Sequence, residues 1–206
     1  MKGKFITFEG SEGSGKSTQI QMAYDYLQSK KKPAIFIREP GGVKISEAIR
    51  DILLDPKNKS MTDICETLLY MAARSQLVAE QLVPVLEKGT TVLCDRFLDS
   101  TIAYQGYGNG VDIKFIKEIG KLATQGITPD LTFIFDIDTK EGLSRRGRNK
   151  DRIEQRPLEY HNRVRKGYLE LAKQEPKRIK VIKVEKNKEE IHAIIRPCLD
   201  ALLGIK

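Results

Sequence analysis

Short apolar runs alternate with stretches of helical periodicity along the whole chain. Residues 4–8, containing Phe5-Ile6-Thr7-Phe8, read as a buried strand, and helical spacing follows over 16–29. The same pattern predicts strands over 34–37, 91–94, 131–135 and 179–184. Helices are expected over 45–54, 63–87, 99–106 and 112–124, from about 139, and over 157–173 and 187–203. The 63–87 helix is apolar at Leu68, Met71, Ala72, Leu82, Val85 and Leu86 and stops at Gly89, and Pro84 inside it should kink or divide it. Five short apolar strands separated by helices predict an α/β fold with a mostly parallel, five-stranded sheet covered by helices on both faces. Ligands in such folds bind outside the carboxyl ends of the strands.

A chain of 206 residues suits one well-buried domain spanning 1–206 and is short for two. Thirty-six basic against 28 acidic residues give a net charge of +8, which points to anionic partners, nucleotides among them. Lys30-Lys31-Lys32 and the run from Lys183 to Lys188 read as solvated faces, and no nucleic-acid module is apparent, so no nucleic-acid partner is expected. Cys65, Cys94 and Cys198 are scattered and odd in number, with no C-x-x-C. They fit reduced, small buried side chains in a cytoplasmic protein rather than a disulfide framework or zinc site. No apolar run approaches membrane-spanning length, and the chain enters a strand within a few residues of its start, so neither a membrane segment nor a signal peptide is expected.

Residues 10–17, Gly-Ser-Glu-Gly-Ser-Gly-Lys-Ser, form a complete G-x-x-x-x-G-K-[ST] phosphate loop between strand and helix. Gly10, Gly13 and Gly15 permit positive φ and close approach to an anion, Lys16 can reach β/γ-phosphates, and the Ser17 hydroxyl suits Mg²⁺. Val92-Leu93-Cys94-Asp95 ends a strand in a carboxylate that can face the metal or its water, and Phe133-Ile134-Phe135-Asp136 competes for that role. Asp95 is preferred because Arg96 follows it, pairing a metal ligand with a phosphate ligand. Arg38-Glu39-Pro40-Gly41-Gly42 follows the second strand on the same sheet edge, and Arg50 lies on the next helix. Arg74, mid-helix among apolar neighbours, is either a snorkelling surface side chain or a ligand contact. The stretch Arg145-Arg146-Gly147-Arg148-Asn149-Lys150-Asp151-Arg152 reads as a lid over transferring phosphates. A GTPase switch is excluded: Asn187-Lys188-Glu189-Glu190 ends in the wrong residue for guanine reading, and no D-x-x-G is present.

The motifs at 8–18, 38–42, Leu68-Leu69-Tyr70-Met71-Ala72-Ala73-Arg74, Asp95-Arg96-Phe97 and Asp99-Ser100-Thr101-Ile102-Ala103-Tyr104-Gln105-Gly106 closely resemble the bacterial thymidylate kinase family, in order and spacing over nearly the whole chain. The resemblance implies a P-loop NTPase-type three-layer fold and transfer of phosphate from ATP to dTMP with Mg²⁺, in dTTP synthesis. It implies an ATP-phosphate cradle of Gly10, Ser11, Glu12, Gly13, Ser14, Gly15, Lys16, Ser17 and Thr18, with Ser17 and Asp95 toward the metal. On the acceptor side it implies that Arg50 and Arg96 hold the dTMP phosphate, with Arg38 and Glu39 facing the cleft among the dTMP-binding residues, and Glu12 near the sugar 3′-hydroxyl. Tyr70 would lie under thymine, Arg74, Gln105 and Thr101 at its polar edge, and Tyr104 against a ribose 2′-hydroxyl. Most family members carry Phe at the position of Tyr70, a departure that keeps the stacking face. With Gly13 rather than a basic residue in the loop, the chain resembles the subtype whose catalytic cations come from a lid at about 145–154. Arg148 and Arg152 are the expected ones, beside Lys16, Asp95 and Arg96. The family also implies a homodimer through long helices.

Overall fold

A computed structural model describes residues 3–145, 147 and 151–205. Five strands, β1 (Phe5–Gly10), β2 (Ala34–Arg38), β3 (Thr91–Asp95), β4 (Leu131–Asp136) and β5 (Ile179–Lys183), form one sheet in the order β2-β3-β1-β4-β5. Every pairing is parallel, as expected for apolar runs separated by helices. β1 is central, so the loop leaving it opens at the middle of the carboxyl edge.

One sheet face is covered by α1 (Lys16–Ser29) and the last helix, Lys188–Leu203. Ile20, Ala23 and Leu27 of α1 and Ile191, Ile195 and Leu199 of the last helix pack on Phe8, Phe133 and Phe135. Asn187 and Glu190 form a capping box that starts this last helix, which is what the Asn-Lys-Glu-Glu sequence does instead of reading guanine. The opposite face carries Leu77, Val78 and Leu82 against Phe5, Ile37, Val92 and Phe97, and Ile102, Tyr160, Val164 and Tyr168 beside Ile134.

After α2 (Lys44–Leu54), the expected 63–87 helix is continuous but divided into α3 (Asp63–Leu77), a π-helical turn Val78–Leu82, and α4 (Val83–Glu87). Pro84 has no N–H for the Glu80 carbonyl, and its ring crowds that group, so the helix widens by one residue just before it. On α3 the expected apolar positions split, Met71 being buried. Leu68 and Ala72 are exposed, whereas Glu66, Thr67 and Arg74 are buried. The 99–106 helix is α5 (Leu98–Thr101) followed by a π-helical segment, Ile102–Gly108. Then come α6 (Ile113–Ala123), α7 (Thr139–Ser144) and α8 (Leu158–Gln174), with the final helix as α9. All three cysteines are free, but Cys65 is exposed in the first turn of α3 rather than buried. Among the described residues no helix is long and apolar enough to cross a membrane.

Candidate active site

A cleft of about 520 Å³ opens at the carboxyl edge of the sheet, walled by the 12–18 loop, Arg38–Pro40, Arg50, Tyr70, Arg74, Asp95, Arg96, Ser100, Thr101, Tyr104, Gln105 and Arg145. The sequence-predicted motifs converge because each follows a parallel strand.

Gly10, Gly13 and Gly15 all take positive φ (133°, 69° and 83°). Gly13 has a second constraint, since a Cβ there would lie 2.0 Å from the Gly142 carbonyl of α7. The helix before the basic stretch thus packs backbone against backbone on the loop, leaving no room for a basic side chain at 13. Lys16 Nζ donates to the carbonyls of Gly10 and Ser11, both at 3.0 Å. Burial, then the Arg96 charge, push this ammonium down to about 8, against the pull of Asp95 and Glu12.

Ser17 Oγ donates to Asp95 Oδ2 at 3.3 Å, and Asp95 Oδ1 is buried without a partner among the described residues. Asp136 instead takes two hydrogen bonds from Arg165 of α8, at 2.6 and 3.1 Å. Asp95 is therefore the carboxylate left for a ligand. Two oxygens of this kind fit Mg²⁺, which keeps several waters and few protein ligands. No cluster of three or more His, Cys, Asp or Glu side chains suited to a metal exists among the described residues.

Arg96 occupies a left-handed turn at φ 69° directly after β3. Its guanidinium donates to the Gly10 carbonyl (3.0 Å), Tyr168 Oη (3.1 Å), Ser100 Oγ (3.3 Å) and Glu12 Oε1 (3.1 Å). Tyr104 Oη donates to the same Glu12 oxygen at 2.6 Å. Burial works against ionisation of Glu12, but His161, Arg96 and Lys16 outweigh it and hold the carboxyl well below its ordinary range. His161 Nδ1 stands 3.6 Å from Glu12 Oε2, and that oxygen has no hydrogen-bond partner.

Arg50 reaches the Pro40 carbonyl at 2.7 Å, across the cis Glu39–Pro40 bond, and Arg38 forms a forked pair with Glu47, both contacts 3.0 Å. Arg74 is not a snorkelling surface side chain: it is buried on the cleft wall. It lies 2.7 Å from Glu39 Oε2 and donates to Thr101 Oγ1 at 3.0 Å, and burial pushes the Glu39 carboxyl upward despite the ion pair. Gln105 is buried and donates to Glu66. Arg148 lies outside the described residues. Arg152 is absent from the cleft wall: its guanidinium pairs with Glu66 at 2.6 Å and donates from Nε to the Leu53 carbonyl, with Nη2 unpartnered.

Sequence reasoning missed the groups behind this front. Glu9, buried at the end of β1, accepts from Phe97 N (2.7 Å), Ser100 Oγ (2.5 Å) and Tyr168 Oη (3.1 Å). Burial and the neighbouring Asp99 push its carboxyl up to about 7. Its signal was a carboxylate inside an otherwise apolar strand.

Residues 8–195 match the family model described as Thymidylate kinase. The chain belongs to the thymidylate kinase family. It is 45% identical over 206 residues to the thymidylate kinase of Pelotomaculum thermopropionicum, covering 98% of this chain and 95% of that one. To the thymidylate kinase of Carboxydothermus hydrogenoformans it is 47% identical, covering 99% and 100%. The crystal structure of thymidylate kinase from Ehrlichia chaffeensis superposes with a TM-score of 0.80 at 33% identity, over 97% of this chain and 99% of that one. The five-stranded parallel sheet with its helices is thus an architecture shared with a thymidylate kinase structure over nearly the whole chain.

Proposed function

We propose that the protein is an ATP-dependent dTMP kinase that supplies dTDP for dTTP synthesis in the cytoplasm. The observation that carries this reading is one cleft holding two cation sets, the Lys16 loop and the Arg96–Arg50–Arg38 group, beside a pocket of Tyr70, Arg74 and Gln105. The first suits a nucleoside triphosphate, the second a monophosphate, the third a flat base with a polar edge. An oxygen of the dTMP phosphate attacks the γ-phosphorus, the bond to the ADP oxygen breaks, and dTDP and ADP leave.

Lys16 exchanges the Gly10 and Ser11 carbonyls for phosphate oxygens, and Arg96 and Arg50 hold the acceptor phosphate in line. Glu12, ionised and rigidly held, accepts from the sugar 3′-hydroxyl, and Tyr104 closes the space a 2′-hydroxyl would need. Ser17 and Asp95 would hold Mg²⁺, which would supply neutralisation of phosphate charge. The segment at about 145–154 serves as the lid, with Arg148 its proposed cation; Arg152, expected beside it, is instead held by Glu66 and the Leu53 carbonyl away from the cleft and is not assigned that role. Exposed Ile45 and Ile52 on α2, and Ile64 and Leu68 on α3, support a homodimer through these helices.

An ATP-consumption panel over dTMP, dUMP, UMP, CMP, AMP, GMP and thymidine tests the acceptor. Turnover should be highest with dTMP, and a different best acceptor overturns the assignment. Tyr70→Ala should raise KM for dTMP roughly tenfold or more with little change for ATP, because stacking on an aromatic is worth about 1–3 kcal/mol. Equal effects on both substrates would make Tyr70 a packing residue.

Asp95→Asn should raise the Mg²⁺ requirement, and Asp136→Asn should instead lower the melting temperature by breaking the Arg165 pair. A reversed result in a magnesium titration assigns the metal to β4.

Glu9 gives the pH prediction. Its ionised form only accepts, which suits Phe97 N, Ser100 and Tyr168, whereas the protonated acid must donate and disturbs the hydroxyls touching Arg96. The ratio of wild-type to Glu9→Gln activity should therefore rise with pH up to about 7 and level off above it. Substrate ionisations cancel in that ratio, and a flat ratio rejects the role.

A further inference from the structure

Glu66 plays no part in the reading above. It is fully buried on α3, one helical turn before Tyr70 and two before Arg74. Its Oε1 accepts from Gln105 Nε2 at 2.8 Å and from Asn109 Nδ2 at 3.0 Å. Its Oε2 lies 2.6 Å from Arg152 and 3.4 Å from Arg156, and these two guanidiniums compensate a charge that would otherwise be costly to bury.

Every partner of Glu66 is a donor, because a carboxylate can only accept. That fixes the Gln105 amide. Turning its carbonyl toward Glu66 would set oxygen against oxygen, so the nitrogen faces Glu66. Among the described residues the carbonyl Oε1 is left without a partner, in a side chain that lines the cleft. Beside it, Arg74 offers only donors. A base edge meeting both thus finds one acceptor and one donor. A pyrimidine with N3–H and a 4-keto oxygen matches this pair. A 4-aminopyrimidine opposes it twice, with a lone pair at N3 and a donor at C4.

We propose that Glu66 is the positioning residue that sets the Gln105 carbonyl toward the base, and thereby the choice of 4-keto over 4-amino pyrimidine. This rests on Gln105 being a base-edge contact. It does not require Glu66 to touch substrate.

The test compares kcat/KM for dTMP and for dCMP in wild type, Glu66→Gln, Gln105→Met and the double variant. Glutamine at 66 can donate as well as accept, so the Gln105 amide is no longer fixed. The dTMP/dCMP ratio should fall about tenfold or more in each single variant. It should fall no further in the double variant, and the loss should lie in KM for dTMP with KM for ATP unchanged. If Gln105→Met lowers the ratio but Glu66→Gln leaves it at the wild-type value, or if the two effects add, the proposal is overturned while the base-edge reading stands. If Gln105→Met itself keeps the wild-type ratio, the base-edge reading fails and the proposal fails with it. Should Glu66→Gln not fold, Glu66→Met combined with Arg152→Met removes the buried pair together. The ratio must fall there by the same factor, since any change in turnover common to both acceptors cancels, and an unchanged ratio overturns the proposal.

Discussion

Lys16→Ala should lower kcat by about 10³-fold or more while leaving the melting temperature at or above that of the wild type. The second half of this expectation comes from the surroundings of the ammonium. It has no carboxylate within hydrogen-bond distance, only the Gly10 and Ser11 carbonyls and the Ser14 hydroxyl. Its proton affinity is lowered, to about 8, with burial the largest cause. A lysine whose folded-state pKa lies below its unfolded value disfavours the folded state: the penalty sets in as pH falls below the ordinary lysine range, where only the unfolded chain takes up the proton, and is complete below about 8. Lys16 therefore does not hold the loop together, and Asp95 and Glu12 offset its burial only in part before phosphate arrives. Calorimetry of the variant alongside an ATP/dTMP coupled assay checks both halves. Normal turnover in a folded Lys16→Ala protein would remove the loop from the chemistry, and a collapse of stability would make the lysine a structural strut.

Much of this fold was legible because each strand is a short apolar run, the three inner ones almost continuously buried and the edge strands β2 and β5 only in part, and such runs need no knowledge of their neighbours. β1, β3 and β4 each extend past the expected end, to Gly10, Asp95 and Asp136. Those last positions carry a glycine or carboxylate, which apolarity cannot recognise as strand. The choice of Asp95 over Asp136 was argued from Arg96 alone, yet what separates them is Arg165, about thirty residues downstream of Asp136 and invisible at the strand. On α3 the pattern misled. Glu66, Tyr70 and Arg74 lie at i, i+4 and i+8, a polar stripe in which Tyr70 and Arg74 wall the cleft and Glu66 is buried behind them, while Ile64 and Leu68 are exposed. Helical periodicity assumes that the inward face is apolar, and a helix that walls a binding site breaks that assumption. The stripe itself was readable. What could not be read was Glu66 meeting Gln105, Asn109, Arg152 and Arg156, since those contacts join segments 39 to 90 residues apart.

Arg96 should prove harder to replace than any other side chain in the acceptor half of the cleft. One guanidinium there spans four acceptors on three segments: the Gly10 carbonyl, Glu12, Ser100 and Tyr168. It also lies over the Tyr104 ring, 4.9 Å from the centroid. An ammonium keeps the charge but cannot reproduce the planar fork, so Arg96→Lys should lose about 10²–10³ in kcat/KM for dTMP, with a smaller change for ATP. Arg96→Met also strands the buried Glu12 carboxylate, and breaking such a pair costs about 3–5 kcal/mol of stability. Stability and catalysis can be separated by neutralising the partner. Arg96→Met combined with Glu12→Gln removes the uncompensated charge, so the melting temperature should recover most of its loss. Turnover should not recover, because no cation then stands where β3 ends and the acceptor phosphate binds. A double variant that regained both would reduce Arg96 to a structural counter-ion of Glu12, and the acceptor phosphate would have to be held by Arg50 and Arg38 alone.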